Sequence, residues 1–317
     1  MAVDAWAAWQ ETKSLAFLHA RIRQLLVAQG AEDVMLDVDG HPVHAYMGGP
    51  RDARRTVILL HGLGDSANNW FRTLPLLAWR GDRVIAIDLP GHGHSPPFDE
   101  RGFLHIREHA EVVKRIAAEH AVGAQLALVG HSLGGWVAAR AHLAGLDVDN
   151  LVLVEAAGLE HEGMWESIEL LRIEHEADVK KFFDTICHHT PFALHALSKD
   201  VAAMFRSPAV ANFINAYEHS DLLTDEDLAR VKARTTILWG ENDGLIPPIL
   251  GHRWHAGIPH SKLVWIPRCG HAPQFERPVL FHRLLERALG HPPVHHTLRD
   301  KVVGAMPAVV RRRLAKA

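Results

Sequence analysis

The stretch "GHSLGG", Gly130–Gly135, joins the apolar run "AQLALV" to the helix-prone segment "WVAARAHLA". A serine set between glycines at such a junction has two readings. It is either a permissive turn or a turn that presents a hydroxyl to a substrate. Gly130-His131-Ser132-Leu133-Gly134 fits G-x-S-x-G, and it lies between a strand-like run and a helical one, the context that gives the motif its meaning. So sharp a turn strains the serine backbone. A Cβ two residues to either side would collide with the neighbouring strand and helix, hence Gly130 and Gly134, with Gly135 adding room. Ser132 then opens a helix, where unpaired N–H groups and the helix dipole favour a developing anion.

Working outward, short apolar runs alternate with helical stretches: "TVILL" (56–60), "RVIAI" (83–87), "QLALV" (125–129), "NLVLV" (150–154), "TTILW" (235–239) and "KLVWI" (262–266). Near-continuous apolar strands separated by helices predict a mostly parallel sheet covered on both faces, an α/β fold. Two further strands, "VMLDVDG" and "PVHAYMG", precede them, with Asp39-Gly40 as the hairpin turn.

Between "NLVLV" and "TTILW" lie about 80 residues, where a crossover needs only a dozen or so. Their amphipathic, helical character predicts an inserted helical cap over residues 157–226. The core of the fold is then split into 31–156 and 227–290. Leu15, Leu18, Ile22 and Leu25 form the stripe of an amphipathic helix within residues 1–30, with Trp6 and Trp9 just upstream. Residues 291–317 form a tail that ends basic, with Arg311, Arg312, Arg313 and Lys316 close together.

Composition removes several classes of function. With 48% hydrophobic residues, the chain of 317 can bury a sizeable core. A net charge of −3 argues against a nucleic-acid-binding surface. The two cysteines, Cys187 and Cys269, are too few for a disulfide framework and suit a reducing compartment. No apolar stretch reaches the roughly 18–20 residues of a membrane span, and the N-terminus is a poor secretory signal. These features predict a soluble, cytoplasmic protein, with a peripheral membrane contact left open at either end.

A serine nucleophile needs a base and an acid, in the order serine, acid, histidine. Asp243 lies in "GENDGLIP" after "TTILW", and His271 lies in "PRCGHAPQFERP" after "KLVWI". Both fall at the expected carboxyl edge of the parallel sheet, where open α/β folds bind ligands. Glu155 and Glu241 are rival acids. His131 reads as a neighbour of the nucleophile, and Asp88 as a residue holding the loop after its strand.

From about Val34 to Leu289 the chain resembles the α/β-hydrolase-fold serine hydrolases. "HGxG" appears as His61–Gly64, "D-x-P-G-x-G-x-S" as Asp88–Ser95, "G-x-x-D-x-x-x-P" as Gly240–Pro247, and "GH" as Gly270-His271. The cap more loosely resembles the monoacylglycerol-lipase-like and bacterial lipase branch. The resemblance implies Ser132 as nucleophile, His271 as general base and then acid, and Asp243 as the group orienting the imidazole. It implies an oxyanion hole from the backbone N–H groups of Leu63 and Leu133. The implied activity is hydrolysis of carboxylic esters through an acyl-enzyme, as in a carboxylesterase or monoacylglycerol-type lipase, on a small-molecule ester with an apolar acyl group. Trp165, Phe182, Phe183, Phe192 and Phe213 are candidate pocket residues. The alternatives are a carbon–carbon bond hydrolase of ring-cleavage diketo acids, whose relatives usually carry "HGxGPG" where this chain reads "HGLGDS", and a slow-turnover ligand receptor.

No cofactor is implied, since G-x-G-x-x-G and a P-loop lysine are both missing. A metal has no support either, although there are 25 histidines. "HGHS" lacks the following Asp-His of a binuclear metallohydrolase. "CHH" (187–189) and "HPPVHH" (291–296) have no complementary cluster at metal-site spacing.

Overall fold

A computed structural model describes residues 13–190, 197–216 and 218–292. Trp6, Trp9, Phe192 and the basic cluster near the C-terminus lie outside the described residues. The strands are β1 (Glu32–Val38), β2 (His41–Gly48), β3 (Arg55–Leu60), β4 (Arg83–Ile87), β5 (Gln125–His131), β6 (Asn150–Val154), β7 (Arg234–Gly240) and β8 (Lys262–Ile266). They form one eight-stranded sheet in the order β1-β2-β4-β3-β5-β6-β7-β8. β2 runs antiparallel to both its neighbours, and every pairing from β4 to β8 is parallel. This is the mostly parallel sheet that the apolar runs predict, in the α/β-hydrolase fold that the resemblance implies.

The central strands carry polar residues mainly at their starts and are apolar beyond, because both faces are covered. β4 and β6 are buried at every position, while edge strand β8 keeps only Ile266 fully buried. One face packs on helices Ile106–His120 and Leu133–Leu143; the other packs on Thr73–Trp79 and Pro278–Ala288. The β1–β2 turn places Asp39 and Gly40 at φ 52° and 86°, the left-handed pair a tight two-residue hairpin needs.

Between β6 and β7 lie helices Met164–Leu171, Glu176–Ile186, Ser198–Phe205, Pro208–Asn215 and Asp225–Ala229. At the N-terminal end of the described residues, helix Lys13–Ala28 buries Leu26 rather than Leu25, which is 52% exposed. The reason is angular. At about 100° per residue, Leu26 falls within about 40° of the half-buried Leu15 and Ile22, whereas Leu25 falls about 20° from Leu18, on the exposed side.

Candidate active site

Ser132 stands between β5 and helix Leu133–Leu143 with φ 54° and ψ −118°, a conformation that costs an L-residue on the order of 1–3 kcal/mol. The surroundings over-determine it. Its N–H donates to Val154 O at 2.9 Å, and its carbonyl accepts from the Gly135 N–H at 3.0 Å and the Ala157 N–H at 3.1 Å. A Cβ on Gly130 would overlap the Gly134 carbonyl, and one on Gly134 would overlap the Leu60 carbonyl. The helix that follows is buried at nearly every position. It ends at Gly145, φ 97°, where the Leu146 N–H reaches back to Ala141 O at 3.1 Å and ties off the last turn.

The loop after β3 lies directly against the serine: a Cβ on Gly62 would come within 3.3 Å of Ser132 Cβ. His61 fixes this loop. The Leu89 N–H donates to His61 Nε2 at 2.9 Å, so the proton sits on Nδ1, which donates to the Gly62 carbonyl at 2.7 Å. Burial lowers the pKa of this imidazole and keeps it neutral. With the Gly62 carbonyl pinned, the trans peptide turns the Leu63 N–H to the opposite side. Gly62, Leu63, Ser132, Leu133 and His271 all line one cavity.

Asp243 and His271 meet behind it. His271 Nδ1 lies 2.7 Å from Asp243 Oδ2, while Asp243 Oδ1 accepts from the Leu245 and Ile246 N–H groups, both at 2.9 Å. Asp243 is 4% exposed and His271 5% exposed, so the pair is shielded from water. Of the three candidate acids, Asp243 is the one that partners the imidazole. Glu155 instead accepts from the Gly240 N–H at 2.8 Å, and burial, then the charge of Asp243, pushes its carboxyl pKa well above the usual range.

Two residues join these loops: His131, which the sequence marks only as a neighbour of the serine, and Glu276, which it does not mark at all. His131 Nε2 donates to the His271 carbonyl at 2.7 Å, tying the serine turn to the histidine loop. Burial, then the neighbouring His271, drives the His131 pKa down to about 3, so it stays neutral and cannot serve as a base near pH 7. Glu276 accepts from the Gly270 N–H at 3.0 Å and the His188 N–H at 2.7 Å. The His271 N–H donates to Ile186 O at 2.6 Å. The histidine loop is thereby fastened to the end of helix Glu176–Ile186. No local motif announces either residue, because the bonds from His131 to His271 and from His188 to Glu276 span 140 and 88 positions of the chain.

Asp88 holds its loop as the sequence suggests, accepting from the Ala67 N–H at 2.6 Å, the His94 N–H at 2.7 Å and His44 Nδ1 at 2.7 Å. Burial alone would raise its pKa, but the His44 hydrogen bond and charge outweigh it and hold the carboxyl far below the usual range. Among the described residues, His131, Glu155 and His271 have ligand-type atoms within 4.8 Å of one another. Hydrogen bonds from His131 Nε2 to His271 O, from the Gly240 N–H to Glu155 Oε1 and between His271 Nδ1 and Asp243 make the trio a junction between three loops.

The cavity measures about 930 Å³ and its lining is mostly apolar. Phe182, Phe183 and Phe213 border it, whereas Trp165 is 63% exposed and is not among its lining residues. Arg72, Arg268 and Arg277 also border it, and Arg72 and Arg268 are exposed. None of the described helices is long and apolar enough to cross a membrane.

A buried carboxylate–imidazole pair and a strained serine at the strand ends of such a sheet define a hydrolase of the α/β class. The sequence pattern of the alpha/beta hydrolase family matches residues 57–284, and the chain belongs to that family. It is 29% identical over 254 residues to the 2-hydroxy-6-oxononadienedioate/2-hydroxy-6-oxononatrienedioate hydrolase of Escherichia coli K12, covering 75% of this chain and 88% of that relative. Among solved structures it is similar to a membrane phospholipase A described as a bacterial virulence factor (TM-score 0.74, 25% identity, 89% of this chain and 94% of that one). It also resembles carboxylesterase CesB from Bacillus subtilis (TM-score 0.67, 20% identity, 86% and 98%), a likeness of fold.

Proposed function

We propose that the protein is a serine hydrolase that cleaves carboxylic esters with an apolar acyl group, through an acyl-enzyme. The observation that carries this reading is the buried Asp243–His271 pair standing beside the same apolar cavity that Ser132 opens into. Ser132 Oγ attacks the ester carbonyl while His271 Nε2 takes its proton. Asp243, bonded to Nδ1, holds the ring in the tautomer that leaves Nε2 free and stabilises the imidazolium without taking its proton. The oxyanion is received by the N–H of Leu133, at the start of its helix, and that of Leu63; each such donor is worth about 3 kcal/mol to the barrier. The protonated imidazole gives its proton to the departing alkoxide. Water, deprotonated by the same ring, then releases the acid and restores the serine. These steps use only groups of the chain itself.

A second reading has its own support. The E. coli relative is by name a hydrolase of dienedioates, and three arginines border this cavity, cations that a substrate carboxylate would meet. The predominantly apolar lining favours the ester. The test is kcat/KM on p-nitrophenyl esters against kcat/KM on a ring-cleavage diketo acid, for wild type and Ser132→Ala. Ester turnover in the wild type that falls by about 10⁴-fold or more in Ser132→Ala bears out the proposal. Turnover of the diketo acid alone selects the second reading, and retained ester activity in the variant removes the serine assignment.

A further inference from the structure

The cavity has a wall that the family pattern does not include. Helix Lys13–Ala28 precedes the matched residues 57–284, yet Leu15, Leu18, His19 and Ile22 line the same cavity as Ser132 and His271. Their spacing, i, i+3, i+4 and i+7, puts all four on one face. We propose that this face is the element that sets acyl-chain length, closing one side of the substrate cavity; the proposal rests on the reading of that cavity as an acyl site.

The helix is fixed at both ends of that face. One turn beyond Ile22, Leu26 is 1% exposed and joins the core cluster that includes Trp70, Phe281 and Leu285. At the other end the Leu15 N–H donates to Asp200 Oδ2 at 3.0 Å. Asp200 is itself buried, in the first turn of helix Ser198–Phe205. A carboxylate at a helix N-terminus is favoured by the dipole as well as by the bond. The helix is therefore anchored in the core at Leu26 and in the inserted helices at Asp200, with the cavity-lining turns between.

A helix that merely covered the core would bury its whole stripe. Here Leu26 is buried, while Leu15 and Ile22 are half-buried and Leu18 is 41% exposed, although each borders the cavity. Apolar area that the protein leaves uncovered in a cavity wall is area that an acyl chain can cover, worth roughly fourfold in affinity per buried methylene.

The experiment uses the full chain with Leu15→Trp and Leu18→Trp to narrow the wall, and Leu15→Ala and Leu18→Ala to widen it. For each, kcat/KM is measured on p-nitrophenyl esters from acetate to palmitate and expressed as a ratio to acetate. The expected result is opposite displacement. The tryptophan variants lose about tenfold in the long-chain ratio, and the alanine variants move the optimum to longer chains. An unchanged ratio in all four, or long and short esters falling by one common factor, overturns the proposal. Calorimetry of saturated fatty acids binding to the Ser132→Ala protein, with and without Leu15→Trp and Leu18→Trp, separates this from the catalytic reading. Loss of long-chain affinity together with a wild type that is inert on every ester keeps the wall and removes the esterase; equal affinity with and without the tryptophans removes the wall.

Discussion

The floor and the roof of the cavity are held by different kinds of force. The floor, where Ser132, Leu63 and His271 stand, is set by main-chain hydrogen bonds and by glycines whose Cβ would strike a neighbouring carbonyl. The roof, from helices Met164–Leu171 to Pro208–Asn215, is set by packing among Met164, Ile168, Phe182, Met204 and Phe205. Backbone contacts fix atoms within tenths of an ångström and tolerate few substitutions. Packing among flexible apolar side chains tolerates any set of about the same volume. The positions of the serine and the imidazole therefore belong to the floor, and the shape of the apolar space above them to the roof and to helix Lys13–Ala28.

The sharpest way to break this contrast is Gly134→Ala. The added methyl would overlap the Leu60 and His61 carbonyls, which are main-chain and cannot rotate aside. We expect loss of more than about 3 kcal/mol of stability or failure to fold, read by circular dichroism and thermal melting. A native-like melt would show that the serine turn is looser than described. Next comes Asp243→Asn. It preserves the fold but removes the acceptor that sets the His271 tautomer, and kcat should fall on the order of 10³–10⁴-fold. A drop below tenfold would move the acid role elsewhere, with Glu155 the next candidate.

A third test uses pH. Burial lowers the pKa of His131 and His92 to about 3, that of His282 to about 4, and that of His109 well below its usual value. An unfolded imidazole titrates near 6.5. Between roughly pH 4 and 6.5 the unfolded chain thus binds more protons than the native one, and stability falls as pH falls. Asp65, pushed up to about 7 mainly by burial, works in the opposite direction, as do Glu155 and His44. The lowered imidazoles outnumber them, and each unmatched one contributes about 1.4 kcal/mol per pH unit. Urea midpoints should decline steadily from pH 6.5 to 4.5; a constant midpoint would mean that these rings are hydrated in the native state. The smallest effect is expected in the roof. Met204→Leu conserves volume, so stability should change by less than about 1.5 kcal/mol and ester kcat hardly at all. A large fall in kcat at constant fold would put the roof in charge of chemistry and undo the division.

The same division explains what could be read in advance. Glycines beside Ser132 are demanded by sterics local to a few residues, so "GHSLGG" shows its geometry in the sequence. The apolar runs that became β3 to β8 are legible for a similar reason, since a strand covered on both faces admits few polar residues. Asp243 and His271 could be placed because each follows its strand directly. His131, Glu276 and Asp200 could not. Each is an ordinary polar residue whose meaning comes from a main-chain group far along the chain, at His271, His188 and Leu15 respectively. The amphipathic period of Lys13–Ala28 was visible, but not that its apolar face borders the cavity as well as the core.

The Glu276 bridge has a mechanical outcome. Because one carboxylate grips both Gly270 and His188, and the His271 amide is itself bonded to Ile186, helix Glu176–Ile186 cannot swing away without dragging His271 along. That side of the enclosure is the hinge post. Helix Ser198–Phe205 leans on that post, its Phe205 ring packed edge-on to Phe182 at 5.0 Å between centroids, so a displacement of either helix is transmitted to the loop that carries the imidazole.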